Sequence, residues 1–322
     1  MRAFRVLMAI GIAAALGCAR PAAAEDYPAR EIHSVCNFAA GSGADIVVRW
    51  YSGELAKRAG KPVVVENKPG AQGNIATDYT AHAKPDGYTI LITPASSTLG
   101  AVPHLFKTLS FDPIKDFAPV GTLAKAAFVV GVDAAGPIRS LPELTVHLRT
   151  KPGDGSYGTG SNTGIGAAEL YKQMAGLKTQ RVPYRDPGTA LTDLLGGQID
   201  FMFDPGVALP HVKSGKLRLL AVGSPKRHAA FPDTPTVSEV LGEEFDAGTV
   251  FGVLVPAGTP KAVTARLNAE IARIMQTSEM TQRIAALGAE PLYLAPEAYA
   301  ARLRGINANM VVLVRETGMK AE

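Results

Sequence analysis

Residues 32–59 run IHSVCNFAAGSGADIVVRWYSGELAKRA: a β-branched stretch, a glycine-rich turn and an amphipathic stretch in direct succession. Ile32 to Phe38 is typical of a buried strand. Val47, Tyr51 and Leu55 then recur at helical spacing on one face. This strand–turn–helix unit predicts a mainly parallel sheet covered by helices, because parallel strands need crossovers of this kind.

The same alternation continues along the chain and starts again near residue 127, which predicts two α/β lobes with hinge crossings near Ala126 and Gly248. The first lobe is expected to be discontinuous, with residues 25–126 and 249–322, and the second to comprise residues 127–248. The predicted strands are 32–38, 62–66, 88–93, 127–132, 156–159, 180–182, 199–203, 217–223 and 251–255, and the predicted helices are 45–59, 73–83, 141–149, 162–175, 189–195, 261–275, 278–287 and 296–317.

The first 24 residues have the pattern of a removable export signal. Arg2 and Arg5 precede an uncharged apolar run from Val6 to Gly17, and Ala22-Ala23-Ala24 supplies small residues for cleavage. The run is shorter than the ~20 residues of a membrane span. We therefore expect a periplasmic protein, with lipid attachment at Cys18 as the alternative, because Ala15-Leu16-Gly17-Cys18 resembles a lipoprotein box.

The charge balance gives no electrostatic support for nucleic-acid binding. The net charge is +4, but residues 1–24 contribute three arginines and no acid, so the remaining chain is close to neutral and has no basic block. Cys36 is then the remaining cysteine. It lies in a strand pattern, so we expect an inert buried thiol.

Two glycine-rich turns are the main candidates for a binding site. In open α/β sheets, ligands bind beyond the carboxyl ends of strands. The turn after the first strand lies there, and the helix behind it offers unpaired N–H groups and a partial positive charge, which together suit an anion. A second such turn opens the helix at 162–175. The candidates in these turns are Phe38, Ala39, Ala40, Gly41, Ser42, Gly43, Ala44 and Asp45, and Gly160, Ser161, Asn162 and Thr163.

Asp45 is interpreted as a cap for helix N–H groups rather than a metal ligand. The alternative for each turn is a tight connection without a ligand. If both bind, two loops facing across a cleft suit a ligand with two polar ends.

Further candidates follow other strands. Thr93, Ser96 and Ser97 offer hydroxyls either to ligand oxygens or to their own turn. Arg185, beside Tyr184, is either the cation for a carboxylate or the partner of Asp186. Asp204 either accepts from a ligand or holds the hinge.

The sequence lacks the residue patterns of enzymes. Ser42 and Ser161 have no glycine two places earlier, so no nucleophile elbow exists. The six histidines form no spaced ligand pair, and Gly41-x-Gly43 lacks the third glycine of a dinucleotide site. We therefore expect no catalytic residue, no metal and no cofactor.

Many ordered motifs resemble one family, the solute receptors of tripartite tricarboxylate transporters, also called the Bug family. The resemblance covers nearly all of the chain after residue 24. It rests on Tyr27-Pro28-Ala29-Arg30, the loop from Phe38 to Asp45, Val63-Val64-Val65-Glu66-Asn67-Lys68-Pro69-Gly70-Ala71-Gln72-Gly73-Asn74-Ile75, Pro85-Asp86-Gly87-Tyr88-Thr89, Phe111 to Val120, Pro183-Tyr184-Arg185, Leu194 to Asp200, Gly215-Lys216-Leu217-Arg218 and Pro256-Ala257-Gly258-Thr259-Pro260.

The resemblance implies a hinged receptor with the two-lobed periplasmic binding protein fold, type II-like. In the family, the first glycine-rich loop holds a ligand carboxylate through backbone amides and ordered waters, and the second lobe holds the other end. A small carboxylate ligand, membrane permease subunits as partners, a monomeric state and no enzymatic activity are the expectations that follow.

This chain departs from the family pattern at two places. Asn37 stands where the family usually has proline, and Ala40-Gly41-Ser42 stands where it usually has Pro-Gly-Gly. Mono-, di- and tricarboxylates, amino acids and aromatic acids all remain possible ligands. Two other functions stay open: a solute sensor for a signalling partner, and a secreted α/β hydrolase.

Overall fold

A computed structural model describes residues 27–184, 186–204, 206, 208–286 and 288–317. The predicted export signal, Cys18 and the candidate ligand residue Arg185 lie outside the described residues. The described chain forms two sheets flanked by helices, which confirms the predicted two-lobed α/β fold.

The first sheet contains strands from both ends of the described chain, in the order β11-β4-β10-β3-β1-β2. Its strands are β1 (Ile32–Cys36), β2 (Val63–Asn67), β3 (Thr89–Pro94), β4 (Phe117–Ala126), β10 (Thr249–Pro256) and β11 (Glu290–Pro291). Its helices are α1 (Gly43–Ala59), α2 (Asn74–Ala81), α3 (Val102–Leu105), α9 (Lys261–Met275), α10 (Ser278–Ala286) and α11 (Pro296–Thr317), with a π-helical segment at Ser96–Ala101 between β3 and α3.

The second sheet is formed by the middle of the chain, in the order β7-β6-β8-β5-β9. Its strands are β5 (Val129–Asp133), β6 (Ser156–Thr159), β7 (Gln180–Pro183), β8 (Phe201–Asp204) and β9 (Leu217–Val222). Its helices are α4 (Leu141–Arg149), α5 (Asn162–Ala175), α6 (Pro187–Leu195), α7 (Leu209–Lys213) and α8 (Val237–Leu241).

Both sheets are mixed, whereas the sequence predicted mainly parallel ones. β1 pairs in parallel with β2 and β3, and β6 with β7 and β8. The antiparallel pairs involve β4, β5 and β10, near the crossings between the sheets. A strand that carries the chain out of a lobe and one that brings it back run in opposite directions, so they pair antiparallel.

β1 shows how the first lobe buries both faces of its sheet. Ile32 and Cys36 face a core that includes Tyr51 of α1 and Ile271 of α9. Val35, on the opposite face, packs in a second core with residues of α2, α11 and the Ser96–Ala101 segment. Alternate residues of a strand point to opposite faces. Asn37, two residues beyond Val35, therefore continues on the side that faces α2.

The two lobes touch one another away from the connecting strands as well. α5 of the second lobe packs against the Ser96–Ala101 segment and against α11 of the first. His228 lies 2.8 Å through Nε2 from the carbonyl oxygen of Gly288. Asp246 pairs with Arg302 of α11 at 3.0 Å. Specific polar contacts thus join the two lobes beside their packed helices.

Candidate functional site

Polar loops follow the carboxyl ends of the parallel strands in each sheet. In the first lobe, β1 leads into the loop 38–42 and β3 into the Ser96–Ala101 segment. In the second lobe, β6 leads into α5, and β7 and β8 into the starts of α6 and α7. These edges are where open α/β sheets bind ligands. The helix that follows β6, α5, contacts the Ser96–Ala101 segment of the first lobe.

The loop after β1 presents main-chain donors at the start of α1. Gly41 has a φ of +83°, which only glycine adopts without strain, and it is exposed. Ser42 caps the helix by accepting from the Asp45 N–H at 3.2 Å. The first intrahelical bond runs from Ile46 N–H to the Ser42 carbonyl. The amides of Gly43 and Ala44 precede that bond, so the helix itself supplies no acceptor for them.

The side chain of Asp45 fixes this loop by hydrogen bonds. Its carboxylate is buried and accepts from Gly41 N–H at 2.8 Å, Arg49 Nε at 2.8 Å and Asn67 Nδ2 at 2.7 Å. Burial opposes ionisation, but the hydrogen bonds from Arg49, Asn67 and Gly41 together outweigh it and hold the pKa of Asp45 below its ordinary value. Asp45 therefore stays ionised and binds the amide of Gly41 in the loop, so the interpretation of Asp45 as the cap of helix N–H groups was wrong: Ser42 is the cap.

Phe38 fixes the beginning of the same loop. Its ring stacks on Phe251 of β10 with centroids 6.4 Å apart, and its carbonyl accepts from Asn67 Nδ2 at 2.9 Å. The loop is thus held in place at Phe38, whereas Ala39 and Ala40 are exposed to solvent.

Thr93 near the end of β3 and Ser96 just after it use their hydroxyls in hydrogen bonds within the protein. Thr93 is fully buried and lies 3.0 Å from the hydroxyl of Thr98. Ser96 Oγ accepts from Val250 N–H at 3.1 Å, which ties the segment to β10. Ser97 follows directly, in the π-helical turn. Thr93 and Ser96 support the loop with their own hydrogen bonds.

The second lobe repeats the arrangement at the start of α5. Ser161 caps α5 by accepting from Gly164 N–H at 3.2 Å, and Asn162 and Thr163 form the first turn. A Cβ on Gly160 would lie 1.9 Å from the carbonyl carbon of Asp186. Since Asp186 caps α6, the lack of a side chain at Gly160 lets the starts of two helices meet backbone to backbone.

Tyr184 and Asp204 have internal partners. Tyr184 donates to Asp193 of α6 at 2.7 Å; burial, with that carboxylate, raises its pKa to about 12. Asp204 is fully buried and accepts from the backbone N–H groups of Gly206 and Ala208. Asp204 therefore shapes the loop after β8.

Four polar atoms at this edge of the sheets are buried and have no hydrogen-bond partner among the described residues: Asn37 Oδ1, Asn74 Oδ1, Thr163 Oγ1 and Thr249 Oγ1. Native proteins leave few such atoms, so each calls for an explanation. Sequence reasoning named Thr163 but missed the other three as site residues. The available signal was position, because Asn37 directly follows β1 and Asn74 begins α2.

Other features of the described chain are separate from this edge. A cavity of about 460 Å³, lined by Arg30, His33 and Tyr88 among others, lies by the opposite, amino-terminal ends of β1 and β3. Cys36 is buried, and burial raises its pKa to about 11, so the thiol is protonated at neutral pH. Within the described ranges, no cluster of three metal-ligating side chains occurs, and no helix is long and apolar enough to cross a membrane.

Comparison with known proteins agrees with this architecture. Residues 47–317 match the model of the tripartite tricarboxylate transporter family receptor, so the chain belongs to that family of solute-binding receptors. Protein BugT of Bordetella pertussis is 34% identical, with 99% of each chain covered.

Two solved structures share the fold. The protein Rpa4515 of R. palustris, solved with adipate, has a TM-score of 0.84 and 27% identity over 92% of this chain and 100% of its own. MatC from Rhodopseudomonas palustris, solved with bound malate, has a TM-score of 0.80 and 29% identity over 89% of this chain and 100% of its own.

Proposed function

We propose that this chain is a non-enzymatic periplasmic receptor that captures a small organic carboxylate between its lobes and delivers it to a membrane permease. Family membership supports a receptor for a tripartite transporter. Two relatives of the same fold were solved with adipate and malate, both of which are carboxylates. The export signal at residues 1–24 and a monomeric state belong to this proposal.

One observation carries the proposal: helices α1 and α5 begin at the carboxyl ends of strands in opposite lobes, each behind a glycine-rich turn. A helix start combines unpaired N–H groups with a partial positive charge of about half an elementary charge. Ser42 and Ser161 each satisfy one amide of their helix, and ligand oxygens would take the amides beside them. A carboxylate bound in this way needs no fixed cation.

Binding is coupled to closure in this mechanism. We place the first lobe at residues 25–126 and 249–322 and the second at 127–248. A ligand held by both lobes gains its second set of contacts only when the cleft is closed, so it shifts the population toward the closed form. A permease that contacts both lobes would then distinguish the loaded receptor from the empty one.

A thermal-shift screen of organic acids, followed by calorimetry, tests the function, because a ligand that binds the folded state raises the melting temperature. Gly41→Val and Gly60→Val form a matched pair. Both glycines have positive φ and flank α1, and a Cβ on either meets no heavy atom of the described residues within 4 Å. The strain is therefore similar, about 1–2 kcal/mol. We expect only Gly41→Val to lose binding, by tenfold or more.

Small-angle scattering with and without the acid found in the screen tests closure. We expect a smaller radius of gyration in the presence of ligand. An unchanged radius would contradict the closing mechanism, and equal affinities of the two glycine variants would contradict the loop assignment.

A further inference from the structure

Asn37 directly precedes the first loop of the proposed carboxylate site. It directly follows β1, and only the five residues 38–42 separate it from the start of α1. The residue is 7% exposed, and its side chain packs against Gly73, the N-cap of α2. Nδ2 lies 2.6 Å from the position that a Cβ of Gly73 would occupy, and the methyl group of Thr98 lies 2.8 Å from the same point.

The amide oxygen of Asn37 is a buried acceptor that no described residue satisfies. Asn74, the first residue of α2, presents a second unsatisfied amide oxygen. Gly73, which precedes Asn74, has a φ of +97°, and its lack of a side chain lets Asn37 pack closely against the start of α2. Two unsatisfied acceptors thus belong to residues in or packed against the start of α2, and one of these residues, Asn37, shortly precedes α1 in the chain.

The amide donors of α1 and the amide oxygens of Asn37 and Asn74 bind different ligand atoms. The amides at the start of α1 suit a carboxylate. A second carboxylate oxygen placed against the Asn37 and Asn74 oxygens would meet acceptors only, whereas a hydroxyl or an ammonium group would donate to them. A site built to accept from a ligand group discriminates against the analogue that lacks it, since the buried acceptor is then left unpaired.

We propose that Asn37, with Asn74, makes the receptor selective for carboxylates that carry a hydroxyl or amino group on the carbon next to the carboxylate. This inference rests on the proposed function and names its ligand class. Asn37 acts as a specificity-determining residue: the α1 amides bind the charge, and Asn37 Oδ1 accepts from the neighbouring donor.

Matched ligand pairs test the selectivity by calorimetry: succinate against malate and aspartate, adipate against 2-hydroxyadipate, and propanoate against lactate and alanine. We expect the substituted member of the bound pair to bind about tenfold more tightly. Equal binding within a pair, or tighter binding of the unsubstituted acid, overturns the inference. The second of these results would mean that a donor of Asn37, not its oxygen, faces the ligand.

Variants locate the effect. Asn37→Leu, of similar size, should reduce the ratio of affinities to about one while the unsubstituted acid still binds. Asn37→Asp keeps an acceptor at this position, so it should still prefer the amino acid over the unsubstituted acid of the pair. This variant tests the assignment even if Asn37→Leu does not fold. Ser52→Ala is the control, because Ser52 is another buried side chain whose oxygen lacks a partner in the described chain, but it lies in the middle of α1.

Two failures are distinguishable. If none of the acids binds to the wild-type protein, the proposed function fails, and the selectivity falls with it. If acids bind but Asn37→Leu keeps the wild-type ratio, the function stands and the assignment to Asn37 is wrong.

Discussion

Asp45→Asn is the substitution that most directly tests how the first glycine-rich loop is held. Every side-chain contact of the Asp45 carboxylate is to a donor: Gly41 N–H and Arg49 on Oδ2, and Asn67 on Oδ1. Asparagine has nearly the same shape but one oxygen fewer. In one orientation its NH2 group faces Asn67, and in the other it faces both Gly41 N–H and Arg49, so at least one hydrogen bond is replaced by an unfavourable contact.

The magnitude follows from the buried bonds. Arg49 is 48% exposed, so its ion pair with Asp45 contributes little after solvent screening. The main loss is then one charge-assisted hydrogen bond, to Gly41 or to Asn67, which leaves a buried donor unpaired. We expect this to lower the unfolding free energy by about 2–3 kcal/mol. We also expect weaker carboxylate binding, because the amides of the loop are no longer held in position.

Urea unfolding and calorimetric titration measure the two effects. Glu279→Gln is the control, because Glu279 forms an exposed ion pair with Arg283 on α10 and should change neither quantity much. If Asp45→Asn loses no more stability than this control and binds the ligand as well as the wild type, the buried network does not support the loop and the reasoning is refuted.

The pKa of Asp45 makes the same network depend on pH. The folded-state pKa is below that of the unfolded chain, about 3.9. The stabilisation is therefore present above pH ~4 and is lost as the pH falls through the folded-state pKa. We expect unfolding free energy measured from pH 6 to pH 3 to fall more in the wild type than in Asp45→Asn; parallel curves would contradict this.

Two glycine substitutions test contacts within and between the lobes. In Gly160→Ala the new Cβ would lie 1.9 Å from the Asp186 backbone, so we expect the unfolding free energy in urea to fall by about 3 kcal/mol or more. Gly53→Ala is the control, because its Cβ would lie in open space on α1 and should stabilise the protein by about 0.5–1 kcal/mol. Equal effects of the two substitutions would contradict the packing described for Gly160. In Gly288→Ala the new Cβ would lie 2.3 Å from Leu209 Cδ1 on the other lobe. We expect ligand affinity to fall and Leu209→Ala to restore it, and no loss of affinity would show that this contact does not affect closure.

The boundaries of several helices could be predicted from local sequence alone. α4, α5, α9 and α11 have the predicted bounds in the structure. Ser140 and Ser161 cap the starts of α4 and α5, and Gly176 ends α5 in a left-handed conformation. Caps and helical periodicity involve residues a few positions apart, so the sequence contains the whole signal.

β4 shows what local reasoning misses. The sequence pattern predicts no strand over these ten residues, and a proline such as Pro119 disfavours one. In the structure the pairing with β10 shifts register at this point, and the irregularity accommodates the proline within a central strand. The strand exists because β10 and β11 return from distant parts of the chain to pair with it.

The sequence by itself determined the two-lobed α/β class, the family and the two turns with helix starts that define the candidate site, because these depend on short-range patterns. The tertiary structure decided which candidates have internal partners, such as Thr93 and Asp204, and which buried acceptors are left open, such as Asn37 and Asn74. The reason is physical: whether a polar atom has a partner depends on residues that only folding brings within about 3 Å.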